Sequence, residues 1–114
     1  MLDKIYEISF QIILHAGDAR TKALQAIQQS NLGEAEEAKA LLNEAKQCLK
    51  LAHKQQTELI QQEANGEKLE LNVMLVHGQD HFSMAMTSID LAEQMLKMNE
   101  KMYSLELKVK MVSL

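Results

Sequence analysis

A chain of 114 residues is the size of one domain, and 46% hydrophobic with 25% charged residues is the usage of a folded protein, which excludes disorder. With no Pro and only four Gly it lacks the turn residues that sandwiches and barrels need, so an all-β fold is excluded. A net charge of −4 supplies no basic field for nucleic acid or an anionic membrane, and the single Cys48 excludes an intrachain disulfide and a cysteine-rich zinc site.

The first predicted helix covers about residues 3–30. Ile5, Ile8, Ile12, Ala16, Ala19, Ala23 and Ala26 recur at spacings of three and four, which places them on one face. Gly17 interrupts the pattern without a neighbouring stop signal, so the helix is read through it. Glu7, Ser9 and Gln11 break up the apolar residues at the start, so this stretch does not read as a secretory signal. No apolar run approaches the roughly 20 residues that cross a bilayer, and a cytoplasmic protein is expected.

The break at Ser30–Glu34 carries Asn31 and Glu34 in the spacing of a capping box. The second predicted helix, about 34–64, has Ala38, Leu41, Ala45, Cys48, Ala52, Gln55 and Leu59 on its stripe, with Cys48 read as a small buried hydrophobe. Glu and Lys fill the other faces as i,i+4 partners on a solvated surface. Asn65–Gly66 signals a left-handed C-cap.

The third predicted helix, about 69–104, carries Val73, His77, Asp80, Met84, Thr87, Leu91, Gln94, Met98 and Leu105 on a heptad-like line, broadened by Leu75, Val76, Ile89, Met95 and Met102. From Leu105 to Met111 apolar residues alternate with period two, which leaves a frayed tail or a short extended segment open. Three helices of about 45 Å with short connections must run up-down-up as an antiparallel bundle. Seven of the eight Met lie between Met74 and Met111, more apolar surface than two neighbouring helices cover. Self-association through the third helix is expected, with a Met-rich surface for passing partners as the competing use.

The chemistry is concentrated in Val76-His77-Gly78-Gln79-Asp80-His81. His77 and His81 share a helix face and Asp80 lies beside both. A carboxylate on so apolar a stripe needs a cation or hydrogen bonds to offset its burial. Three readings stand. The group is a satisfied structural patch; or His77, Asp80 and His81 hold zinc or iron, although neither HExxH nor Glu-x-x-His occurs; or one neutral imidazole is a nucleophile that accepts a phosphoryl group. Elsewhere His15 and His53 read as packing histidines, and Asp18 and Arg20 point to different faces, with Arg20 free to pair across helices. Gly78 serves either close approach of a partner to His77 or tight helix packing.

Ile13-Leu14-His15-Ala16-Gly17-Asp18-Ala19-Arg20 is similar to the first-helix motif of the enzyme IIA component of the lactose/cellobiose class in the bacterial phosphotransferase system. Ala52-His53-Lys54-Gln55-Gln56-Thr57 resembles that family's second-helix motif, Glu63-Ala64-Asn65-Gly66-Glu67 its following turn, and Val76–His81 its active-site signature. The resemblance runs from about Ile5 to Met102 and fades after Tyr103. It implies a single all-α domain over 1–114 that assembles as a homotrimer of nine helices. It implies a phosphotransferase component in which His77 accepts the phosphoryl group from phospho-HPr and gives it to a cysteine of enzyme IIB. His81 and Gln79 would shape the pocket, and Asp80 from each of three protomers would meet around one divalent cation, Mg2+ in the usual assignment. The system would take up a disaccharide of the cellobiose, chitobiose or lactose kind, cellobiose in first place, through a separate membrane protein. The partners implied are HPr, IIB and further copies of this chain, with no nucleic acid and no membrane insertion. Two rivals remain: a non-catalytic helical adaptor with a structural His/Asp patch, and a metal-dependent enzyme on the same residues.

Overall fold

The seven apolar positions spaced along the first segment are all buried, which is why that segment holds as one helix despite Gly17. It is α1, Leu2–Asn31, in a computed structural model that describes residues 2–113. α2 spans Ala35–Ala64 and α3 spans Val73–Ser113. The fold is all-α, and the three helices form a rod of 69 × 19 × 19 Å. Ala16, Ala19, Ala23 and Ala26 have no exposed surface, so α1 lies close to both neighbours, whereas α2 and α3 meet least. Full burial of Ile12 contributes about 1.5–3 kcal/mol.

Polar groups bridge the sparse α2–α3 contact. Lys39 pairs with Glu100 at 3.4 Å, and Lys46 pairs with Glu93. The Lys46 ammonium, hydrogen-bonded to Glu93, holds that carboxyl below its ordinary pKa. Glu44 pairs with Lys22 of α1 at 3.0 Å. The charges of α2 thus reach its neighbouring helices instead of pairing only along its own surface. Cys48 is half-buried, and burial pushes its thiol pKa up.

Both turns close as Schellman motifs. After α1, Glu34 N–H donates to Gln29 O and Gly33 N–H to Ser30 O; after α2, Glu67 N–H donates to Gln62 O and Gly66 N–H to Glu63 O. Gly33 and Gly66 take the left-handed conformation this requires, at φ of 83° and 92°. The expected left-handed stop at Asn65–Gly66 is therefore present. The expected capping box is not. Asn31 is the last residue of α1, and Glu34 makes no side-chain cap to α2.

Instead, α3 straps the α1–α2 turn. Asn99 Nδ2 donates to Ser30 Oγ at 2.9 Å and to Asn31 Oδ1 at 2.8 Å, while the Tyr103 hydroxyl donates to the Asn31 carbonyl at 2.9 Å. The Tyr103 bond satisfies a backbone carbonyl that the helix end leaves without a partner. Tyr103→Phe is expected to cost about 1 kcal/mol, read as a lower urea midpoint. An unchanged midpoint would show that water replaces the hydroxyl at no loss.

α3 differs from expectation at both ends. It starts at Val73, not near 69, because Asn72 Oδ1 accepts the Leu75 N–H at 2.8 Å and makes Asn72 the N-cap. It continues as helix to Ser113, since Leu105–Met111 holds good helix formers and neither Gly nor Pro. The inward face also differs. Gly78, Phe82, Ala85, Ile89, Ala92 and Leu96 are buried, whereas Val73, His77, Asp80, Thr87, Leu91, Gln94, Met98 and Leu105 of the expected line are exposed. α3 is apolar on two opposite faces, and the bundle takes the one whose small residues match α1's alanines.

Candidate functional site

His77 and His81 lie in the second and third turns of α3, one helical turn apart. Their Nε2 atoms are 3.1 Å apart and the rings meet edge to face at a centroid distance of 4.3 Å. One ring must donate and the other accept. His77 is exposed and His81 half-buried, so one ring is reachable while its partner is held by surrounding structure. If His81 Nε2–H is the donor, it marks the His77 Nε2 lone pair and keeps the His77 proton on Nδ1. That arrangement provides a nucleophilic nitrogen beside an N–H able to turn to an incoming anion.

Gly78 sits between these groups and is buried. A Cβ there would stand 3.3 Å from the backbone oxygen of Ser9 and 3.7 Å from Ile12 Cγ2, so the missing side chain serves the packing of α3 on α1. Gly17, also inside a helix, has nothing within 4 Å of a Cβ. The two substitutions should therefore have opposite signs in thermal unfolding. Gly17→Ala is expected to stabilise the protomer by about 1 kcal/mol through helix propensity. Gly78→Ala is expected to destabilise it by about 1–3 kcal/mol, because a helix backbone cannot easily yield. Equal gains in both would mean that α1 and α3 separate freely.

Gln79 is on the α2 side, where its Oε1 accepts from Gln56 Nε2 at 2.7 Å. It ties α3 to α2 behind the histidines, and among the described residues no side-chain hydrogen bond joins it to His77. Asp80 is exposed, and among the described residues no side chain of its own chain bonds to it. The burial that would demand an offset is thus absent within one protomer. Nor does any group of three His, Cys, Asp or Glu among the described residues converge to hold a metal within the chain, so His77, Asp80 and His81 do not form such a set.

His53 on α2 stacks on buried Phe82, beside His81, with ring centroids 5.8 Å apart, and is a helix–helix contact. His15 is half-buried in α1. Arg20 borders a shallow depression with Ser83, Met84, Thr87 and Ser88, without an ion pair among the described residues. Sequence reasoning missed an apolar groove of about 320 Å³ beside the site, where Leu59, Ile60 and Leu71 meet Leu75 and Val76. Ile60, Leu71 and Val76 line it as exposed apolar residues from α2, the α2–α3 connection and α3, which no single periodic pattern joins. No helix among the described residues is long and apolar enough to cross a membrane.

Residues 7–100 match the family model described as "PTS system, Lactose/Cellobiose specific IIA subunit". The lichenan-specific phosphotransferase enzyme IIA component of Bacillus subtilis is 46% identical over 101 residues, covering 89% of this chain and 92% of that protein. The crystal structure of the cellobiose-specific enzyme IIA from Bacillus anthracis superposes with a TM-score of 0.85 at 42% identity, over 86% of this chain and 90% of that one. The IIA(chitobiose) of the Escherichia coli phosphotransferase system, solved in complex with HPr, gives 0.76 at 30% identity over 87% and 96%. With its three-helix fold and paired histidines inside the matched span, this chain belongs to the lactose/cellobiose-specific IIA family of the phosphotransferase system.

Proposed function

We propose that the protein is a cytoplasmic phosphohistidine carrier. His77 Nε2 attacks the phosphoryl group held by a histidine of HPr; the donor N–P bond breaks as the His77 Nε2–P bond forms. A cysteine thiolate of enzyme IIB then takes the group and frees His77. The observation that carries this reading is the exposed His77 ring, with its Nε2 3.1 Å from the half-buried His81 Nε2. On phosphorylation the His81 N–H shifts to a phosphoryl oxygen, where fixed charge stabilisation does most of the work of such transfers. Gln79, held by Gln56, fixes the distance between α2 and the helix that carries both histidines. The HPr complex of the chitobiose relative supports HPr as donor, and the relatives named for lichenan and cellobiose support uptake of a cellobiose-type disaccharide.

The working unit in this reading is a homotrimer. The exposed stripe of α3 that carries Asp80, Leu91 and Met98 supports it, because a monomer gains nothing from that much uncovered apolar surface. Three Asp80 carboxylates would then face one another. Hard oxygen donors of that kind suit a divalent cation such as Mg2+, which would neutralise them. The test is intact-protein mass after incubation with phosphoenolpyruvate, enzyme I and HPr. One acid-labile phosphoryl group per chain is expected. No adduct, with the donors active on another acceptor, would overturn the carrier in favour of the adaptor.

A further inference from the structure

Among the described residues, α1 buries two serines where it meets α3. Ser9, Ala16, Ala23 and Ser30 recur every seven residues on α1 and are all buried. Gly78, Ala85, Ala92 and Asn99 recur at the same interval on α3. The two rows run level. A Cβ on Gly78 would stand 3.3 Å from the Ser9 backbone oxygen, and Asn99 Nδ2 donates to Ser30 Oγ at 2.9 Å. α1 and α3 therefore point the same way and meet layer by layer. In the Ser30 layer the hydroxyl is held by Asn99, but in the Ser9 layer the facing residue is glycine and has no side chain to offer. Ser9 has no exposed surface, and its Oγ is the one buried side-chain polar atom among the described residues without a hydrogen bond. A helical serine can turn its hydroxyl to the carbonyl four residues back, here Ile5, yet Ser9 does not. A hydroxyl kept buried and unpaired is costly and calls for a cause.

The residues around Gly78 supply one. Gln79 and Phe82 lie on its α2 side, where they meet Gln56 and His53. Its other flank carries His77 and His81, one position before it and three after. Ser9 turns to that flank. It lies about 60° round α1 from Ile12, at the centre of the inward face, and about 20° from Arg20, which lines a surface depression with Met84 and Thr87 of α3. Helical side chains lean towards the N-terminus, so the half-buried His81 covers the turn that holds Gly78. With its Nε2–H given to His77, His81 is left with a bare Nδ1, for which a hydroxyl is a fit donor.

We propose that Ser9 is a positioning residue for phosphoryl transfer. By rotation about its Cα–Cβ bond its O–H donates to His81 Nδ1, which holds the His81 proton on Nε2, facing His77. The proposal rests on the carrier reading of the preceding section. Ser9 touches neither the phosphoryl group nor the partner protein; it fixes which nitrogen of His81 is the donor. Gly78 lets α1 come close enough for this.

Ser9→Ala in the full chain tests the proposal by two readings. The first is NMR of the histidine ring nitrogens at a pH where both rings are neutral. The wild type should hold His81 as the single Nε2–H tautomer, and Ser9→Ala should show a mixture. The second is single-turnover transfer from phospho-HPr. Its rate at saturating donor should fall about fivefold to tenfold in Ser9→Ala, with the half-saturating concentration within about twofold of wild type. Ser9→Cys, which keeps a weak donor, should lie between the two. Alanine is smaller than serine and favours helix, so the variant should fold, with a thermal midpoint no more than about 4 °C below wild type. Mixed His81 tautomers in the wild type, or an unchanged tautomer in Ser9→Ala, would overturn the proposal and leave Ser9 a small packing residue. Tautomers that mix without slowing transfer would overturn the positioning role. A wild type that takes up no phosphoryl group, with the donors active on another acceptor, would overturn the carrier and the role in transfer together, while the tautomer would still read the bond from Ser9 to His81.

Discussion

His77→Ala is expected to take up no detectable phosphoryl group from phospho-HPr, a loss of at least about a thousandfold, while keeping its helix content and assembly. The side chain is exposed, so its removal leaves no cavity, and the three helices do not depend on it. What disappears is the nitrogen that forms the new bond, and a missing nucleophile is not replaced by its helpers. His81→Ala should behave differently. It retains the nucleophile but loses the N–H 3.1 Å from it, and removal of one such fixed donor slows transfer about a hundredfold. His81→Gln, which can still present an N–H, should recover part of that rate. Single-turnover labelling of the three variants, followed by intact mass, reads all these outcomes. Labelling that persists in His77→Ala would move the acceptor to His81. Unaltered rates in His81→Ala would reduce the pair to a packing contact.

The parts of the fold legible in the sequence were those decided locally or by a single buried face. α1 is flanked by both other helices, so its one inward stripe agrees with its 3.6-residue period position by position, from Ile5 to Ala26. The α2 stop was legible because a left-handed residue needs Gly, and Gly66 follows Asn65. α3 was harder for a physical reason. A helix that is apolar on two sides has no unique inward face, and the heptad line through Asp80 is the outward one. The tail misled for a related reason: Leu105 to Met111 alternates in sequence, yet on a helix those residues divide between two faces. His77 and His81 were legible because i and i+4 always meet on a helix. The Gln56–Gln79 bond and the strap from Asn99 and Tyr103 to the α1 end join residues 23 to 73 positions apart, and no local pattern marks such pairs.

In the proposed trimer, removing the divalent cation is expected to loosen the assembly more than Asp80→Asn does. Within one protomer Asp80 is exposed and unbonded among the described residues, so its charge costs nothing until copies meet. When three carboxylates converge without a cation, each of the three pairs repels. At about 4 Å a pair costs about 1 kcal/mol even at the dielectric constant of water, so the triad costs about 3 kcal/mol, and more as water is excluded. Asp80→Asn removes that repulsion together with the cation site and leaves neutral amides that can hydrogen-bond. A trimer's midpoint concentration follows the square root of its dissociation constant, so chelated wild type should dissociate at a concentration at least about tenfold above that of the cation-bound form, with Asp80→Asn in between. Asp80→Leu goes further, because replacing converging charges by well-packed apolar groups is often neutral or stabilising. Its trimer should be at least as stable as the wild type and indifferent to chelator. Sedimentation of the three proteins with and without EDTA gives the order directly. An Asp80→Asn trimer that falls apart before chelated wild type would mean that the carboxylates hold the subunits by bonds to protein groups, and the axial cation would have to be abandoned.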